Sequence, residues 1–214
     1  MAAKINDERR CVIIAGAPDA DIQTVKAAVR PDDYVICADM GYKTAMAAGI
    51  KPDLIVGDFD SYTGCLPEGS EVIRLLPEKD DTDTMHCVKT ALGRGYREFL
   101  LLAAIGGRLD HTLGNLTVLE YLTKNNAHGI ILSKNEMIEV LTKGRFAFDG
   151  RKGHTFSALP FGCQSAVLSY KGTKYPLDRG ALLHSEAMGV SNVFTEDKAE
   201  ITVDDGQIVL IINF

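Results

Sequence analysis

The chain has 214 residues, 46% of them hydrophobic and 24% charged, with a formal charge of −6. These proportions belong to a globular chain with one large or two small cores, and they exclude fibrous, low-complexity and mainly disordered classes. The negative balance argues against a general nucleic-acid binder, which carries a basic face, and no apolar run approaches the roughly 18 residues of a membrane span.

Residues 11–16 read as a buried strand, after which Ile22, Val25 and Val29 recur at helical spacing until Pro31. A second strand, 34–38, ends in Asp39, and an alanine-rich helix over 40–48 is closed by Gly49. The third strand, Leu54 to Val56 at its core, breaks at Gly57 into Asp58-Phe59-Asp60-Ser61. Residues 71–76 form a fourth, followed by a helix over 81–92 whose apolar face is Met85, Val88 and Leu92. The fifth strand, 98–105, carries three consecutive leucines, as a strand buried on both faces requires. Gly106-Gly107 then turns into a helix with Leu109, Leu113, Leu116 and Leu119 along it. This alternation predicts a Rossmann-like parallel α/β domain over residues 1–139.

Beyond Asn126 the pattern changes to short strand-like runs, 130–132, 138–142, 146–148, 155–159, 166–170, 181–183, 201–203 and 208–212. Turn signals separate them, among them Lys143-Gly144, Asp149-Gly150, Lys171-Gly172 and Asp205-Gly206. A C-terminal all-β domain, a sandwich or jelly roll, is expected over 140–214. The five cysteines, odd in number and without a C-x-x-C pair, speak for neither a disulfide framework nor a zinc site and fit a reducing cytoplasm. The polar start, 1–10, is unlike a signal peptide, so a soluble, unprocessed protein is expected.

In open parallel sheets ligands bind at the carboxyl ends of the strands. Asp39 follows strand two, Asp58 and Asp60 strand three, Asp80, Asp81 and Asp83 strand four, and Asp110 strand five, so all are expected on one edge. Helix capping accounts for one or two of them, since Asp81 or Asp83 would cap the helix they begin, but not for four strands in a row. Asp58 and Asp60 point the same way if the backbone stays extended, Ser61 adds an oxygen, and Phe59 packs inward between them. An all-oxygen cluster suits Mg²⁺. Without a cation these carboxylates would repel a phosphate, unit charges about 4 Å apart costing roughly 4 kcal/mol at an effective dielectric near 20. With divalent ions bound they would hold a polyphosphate, which Lys79 and Arg108 would contact directly and which the Gly106-Gly107 backbone would approach closely.

The set Cys37-Ala38-Asp39-Met40-Gly41, Gly57-Asp58-Phe59-Asp60-Ser61, Lys79-Asp80-Asp81-Thr82-Asp83 and Gly106-Gly107-Arg108-Leu109-Asp110-His111 resembles thiamine pyrophosphokinase of the bacterial kind. Gly189-Val190-Ser191-Asn192 resembles that family's thiamine-domain motif. The resemblance implies a two-domain homodimer that transfers a pyrophosphoryl group from ATP to the hydroxyl of thiamine, giving thiamine diphosphate and AMP. It makes Asp39, Asp58, Asp60, Asp83 and Asp110 the acidic group around Mg²⁺ and the triphosphate, with Asp58, Asp60, Asp83 and Asp110 as metal ligands. Lys79 and Thr82 would contact phosphate, supported by Ser61, and Ser191 and Asn192 would serve thiamine at the dimer interface. Some members stack a tryptophan on the vitamin; this chain has no Trp, and Phe194 is the candidate in its place. His111 would orient the turn after Asp110, and His86 is a surface or packing residue.

Other readings stay open at this level. A pyrophosphokinase of another alcohol, such as a pterin, would use the same catalytic half, and Ser191-Asn192 argues for thiamine against it. A phosphatase with Asp58 as nucleophile fits Asp-x-Asp after a strand but leaves the other strand-end acids unexplained. A nucleotide or thiamine sensor would not need the complete acidic set.

Overall fold

The structure, a computed structural model, describes residues 9–58, 69–76 and 80–214. The expectations for Phe59, Asp60, Ser61 and Lys79 lie outside the described residues. The chain divides between Lys134 and Asn135 into two compact units.

The first unit runs β1 (Cys11–Ile14), α1 (Ile22–Ala28), β2 (Tyr34–Ala38), α2 (Gly41–Ala47), β3 (Leu54–Gly57), β4 (Glu71–Arg74), α3 (Asp83–Gly93), β5 (Glu98–Leu102), α4 (Leu109–Lys124) and β6 (His128–Leu132). The strands pair in parallel in the order β4-β3-β2-β1-β5-β6. The run 130–132, grouped by its sequence with the later strands, is thus the sixth parallel strand. Every residue of β1 and β3 is buried, which explains why these strands read as unbroken apolar runs rather than alternating ones. Each such Val, Leu or Ile removed from water contributes about 1.5–3 kcal/mol.

The helices close over the sheet with faces that only partly follow the expected apolar spacing. In α3 the buried residues are Thr84, Cys87, Val88 and Ala91, while Met85 and Leu92 flank this stripe half-buried. In α4 the buried set is Asn115, Val118, Leu119 and Leu122, whereas Leu109 is 71% and Leu113 53% exposed. The reason is helical phase: the buried set lies along one side of α4, and Leu109 and Leu113 fall roughly 130° and 170° around the helix from its centre, on the side away from the sheet.

The second unit contains β7 (Glu136–Asp149), β8 (Thr155–Pro160), β9 (Ser165–Lys171), β10 (Leu177–Leu183), β11 (Asn192–Val193) and β12 (Lys198–Asn213), all antiparallel. Two expected hairpin turns are absent. Lys143-Gly144 lies inside the continuous strand β7, and Asp205-Gly206 inside β12. The two glycine sites oppose each other: Val203 pairs with Gly144, Gln207 with Thr142, and the register shifts between them. Gly206 takes φ +78, so the signal marks a bulge that bends a long ribbon instead of reversing the chain. On its other edge β12 pairs first with β9 and then, past the bulge, with β8. Both ladders contribute to one apolar core that includes Phe148, Phe156, Leu168, Tyr170, Phe194 and Ile201.

Candidate active site

The order of the parallel strands reverses between β1 and β5, where the crossovers depart in opposite directions, and the carboxyl ends of these strands open into a crevice. A cavity of about 470 Å³ lies there. Asp39, Thr82, Asp83, Gly106, Gly107 and Arg108 all line it, so elements separated by up to about seventy residues of chain converge as the strand-end argument requires. Asp58 directly follows β3 but is not among the residues lining the cavity; its neighbour Gly57 packs against Asp39, which is.

Close backbone approach shapes that wall. A Cβ built at Gly41 would lie 2.0 Å from the Ile14 carbonyl oxygen, so α2 starts hard against the end of β1. A Cβ at Gly57 would lie 3.0 Å from the Asp39 Cα, and the Asp39 N–H donates to the Val56 carbonyl at 2.7 Å. Asp39 itself takes φ +44, a left-handed conformation that aspartate tolerates better than most residues. The β5–α4 loop is strained in the same sense, with Ala103 at φ +52 followed by Gly106 at +107 and Gly107 at +63. Their φ values strain any side chain at the two glycines, and a Cβ would also meet the Asp19 carboxylate at 2.2 Å or the Pro18 ring at 2.8 Å. Ala17 N–H donates to the Ala103 carbonyl at 3.0 Å and Asn115 Nδ2 to the Ala104 carbonyl at 2.6 Å, which fix the loop from both sides.

The charged groups fall into three arrangements. Arg108 lines the cavity and makes a two-pronged pair with Asp110, its Nε donating to Oδ1 at 3.1 Å and Nη2 to Oδ2. The guanidinium, aided by the His111 N–H, holds the Asp110 carboxyl below its usual range. Asp110 is not among the residues lining the cavity. At α3 the N-cap is Thr82, whose hydroxyl oxygen accepts from Met85 N–H at 3.2 Å, rather than Asp81 or Asp83. Asp83 is therefore spared that task and lines the cavity from the first helical turn, while Asp81 pairs with Lys89. Among the described residues no three His, Cys, Asp or Glu side chains converge tightly enough to form a metal cluster. The donors that Asp39, Asp58 and Asp83 present are all carboxylate oxygens, the chemistry that Mg²⁺ takes with several waters retained.

In the β unit, Ser191 is exposed with φ +61, and its N–H donates to Ser157 Oγ at 3.2 Å. Asn192 is buried and its carboxamide is spent on the backbone: Oδ1 accepts from Tyr175 N–H at 3.0 Å and Val193 N–H at 2.8 Å, while Nδ2 donates to the Tyr175 carbonyl at 2.8 Å. Phe194 is fully buried and stacked on Phe148 and Phe156, so it is a core residue with no face to offer a ligand. The exposed aromatic beside Asn192 is Tyr175, whose ring already takes the Lys174 ammonium 5.2 Å from its centroid.

Two contributors to the cavity escaped the sequence argument: the loop Ala15 to Pro18 looks like the end of a strand, and Asn115 looks like a polar interruption of a helix. The one available signal was the glycine and proline at 16 and 18 directly after a buried strand, a turn at the switch point.

Comparison with known proteins covers both units. The family described as Thiamin pyrophosphokinase, catalytic domain, matches residues 25–132, and that described as Thiamin pyrophosphokinase, vitamin B1 binding domain, matches residues 141–208. The chain is 27% identical to the thiamine pyrophosphokinase of Bacillus subtilis (strain 168) over 207 residues, covering 93% of this chain and 96% of that protein. It is 30% identical to thiamine pyrophosphokinase 1 of Oryza sativa subsp. japonica over 169 residues, 72% of this chain but 63% of the plant protein. The crystal structure of the Bacillus subtilis thiamine pyrophosphokinase superposes with a TM-score of 0.85 at 24% identity, covering 96% of this chain and 99% of that one, which fixes the fold.

Proposed function

The chain belongs to the thiamin pyrophosphokinase family, and on that premise we propose that it makes thiamine diphosphate by moving the terminal pyrophosphoryl group of ATP to the thiamine hydroxyl with the help of Mg²⁺. In this step the hydroxyl oxygen bonds to the β-phosphorus, the bond from that phosphorus to the α-bridging oxygen breaks, and AMP leaves with the oxygen. The hydroxyl proton passes to a carboxylate of the strand-end cluster. In-line displacement of this kind needs positioning and charge neutralisation more than a covalent nucleophile. The observation that carries the reading is the convergence of Asp39, Thr82, Asp83, Gly106, Gly107 and Arg108 on one cavity at the sheet's switch point.

Residues 1–139 would serve as a Rossmann-like nucleotide domain and residues 140–214 as a β-sandwich domain for thiamine. Asp58, Asp60 and Asp83 would hold Mg²⁺, with Asp110 joining them when its pair with Arg108 opens. Bound there, Mg²⁺ supplies charge neutralisation to the triphosphate and to the leaving oxygen. Asp39 holds the same wall beside Gly57; Arg108, Lys79, Thr82 and the Gly106-Gly107 backbone contact phosphate, and Ser61 supports them. Ser191 serves thiamine, and Asn192 acts by clamping Tyr175, which offers its ring face to the cationic thiazolium. The active form is a homodimer in the cytoplasm, where Cys11, Cys37, Cys87 and Cys163 stay as the free thiols seen here.

Mass spectrometry of the products from ATP, Mg²⁺ and thiamine tests the reading. AMP with thiamine diphosphate is expected. ADP with thiamine monophosphate would mean an ordinary kinase, and free phosphate without thiamine would mean a phosphatase.

A further inference from the structure

Asn115 lies on the core face of α4, where an apolar residue would pack freely and a carboxamide has to be satisfied. Its Nδ2 donates to the Ala104 carbonyl at 2.6 Å, directly after the left-handed Ala103. That bond explains half of the side chain. The other half, Oδ1, meets no protein donor among the described residues, and the carboxamide lines the cavity. Rotating the amide by half a turn would set Oδ1 against the Ala104 oxygen, so the donor end is committed and the cavity is offered one acceptor in a fixed orientation.

A phosphate at neutral pH is itself an acceptor and finds nothing to bind in this oxygen. Beside its polar groups, the cavity is lined by Ala15, Ala17, Pro18, Ala38, Ala103 and Ala104, and Asn115 is hydrogen-bonded to the last of these, a small apolar stretch that suits a flat ring better than a polyanion. We propose that Asn115 Oδ1 accepts a hydrogen bond from the nucleoside part of the nucleotide, either the exocyclic amine of the base or a ribose hydroxyl, and so selects nucleotides that carry this donor. The inference rests on the nucleotide reading above. A site built around a buried acceptor rejects an analogue lacking the donor because the acceptor is then left unpaired.

Calorimetric titration without thiamine tests it on the full chain, using ATP, inosine triphosphate, 2′-deoxy-ATP and 3′-deoxy-ATP against the unaltered protein and Asn115→Ala. One analogue is expected to bind at least about tenfold more weakly than ATP to the unaltered protein. That penalty shrinks to about twofold or less in Asn115→Ala, as expected for two groups that interact directly. Inosine triphosphate as the penalised analogue identifies the base amine, and a deoxy analogue identifies the ribose. Because each penalty is a ratio within one protein, a general loosening of the Ala103-Ala104 corner cancels; Asn115→Ser serves if Asn115→Ala does not fold. Penalties equal in both proteins for every analogue overturn the proposal. Failure of ATP to bind the unaltered protein overturns the nucleotide reading and this inference with it.

Discussion

The carbonyl oxygen of Ile14 fills the space where a side chain at Gly41 would begin, 2.0 Å from a Cβ built there. Helix α2 can rest on the end of β1 only because residue 41 has no side chain. Gly41→Ala is expected to cost about 1–3 kcal/mol or more, since the obstacle is backbone and cannot swing aside. Gly114→Ala, in the middle of α4 with no atom within 4 Å of the added carbon, is expected to gain up to about 1 kcal/mol from helix propensity. Urea unfolding of the two variants measures the contrast; equal effects would contradict the packing assigned to Gly41.

Asp83 lines the cavity without capping its helix, because Thr82 carries the cap. Asp83→Asn should therefore keep the melting temperature within a few degrees while lowering the rate of AMP formation on the order of 10²-fold or more. Near-normal turnover in a folded variant would remove Asp83 from the metal-binding set.

If the Tyr175 ring meets the thiazolium, Tyr175→Ala raises the KM for thiamine about two- to thirtyfold, the range that a cation on an aromatic face supports, and leaves the KM for ATP unchanged. Tyr175→Phe keeps most of the affinity. Steady-state kinetics with each substrate varied in turn distinguishes this from a general loss of folding, which would lower the apparent kcat and leave both KM values unchanged.

Asp21 caps α1, its carboxylate accepting from Thr24 N–H and Thr24 Oγ1, both at 2.8 Å. These bonds, the backbone one first, hold its pKa below the ordinary value. A lowered carboxyl pKa stabilises the fold above the ordinary value and loses that contribution as the pH falls through the lowered one. Asp21→Ala should thus melt below the unaltered protein near neutrality, with the gap closing in acid. A gap independent of pH would mean that the charge is not what caps the helix.

The parallel half of this fold was largely legible because its signals are local. Four-residue runs such as Cys11 to Ile14 are apolar throughout, and strands buried on both faces have no alternative reading at that length. The acidic strand ends were legible for the same reason: the topology carries every carboxyl end to one edge, so Asp39 and Asp83 could be placed together without knowing a single distance. What failed depends on partners far away in sequence. Gly144 and Gly206 carry the composition of hairpin turns, and only their mutual register across β7 and β12 makes them bulges. Leu109 and Leu113 keep an apolar spacing along α4, but the sheet packs on the side that carries Asn115, Val118, Leu119 and Leu122, so the two leucines face away from it. Phe194 lay beside Ser191-Asn192 in sequence, yet strand alternation turns it inward while Tyr175, a turn away, stays outside.

Strand β12 is shared by both ladders of the β unit, bonding to β9 before its bend and to β8 after it. β8 and β9 do not pair with each other, and their other edges carry only β11 and β10, so β12 is the one strand common to both ladders. Amide protons of β8 and β9 that bond across to β12 should therefore exchange with solvent through one common opening, while those shared with β10 and β11 keep their own protection. A single long strand couples the two ladders that its bend keeps apart.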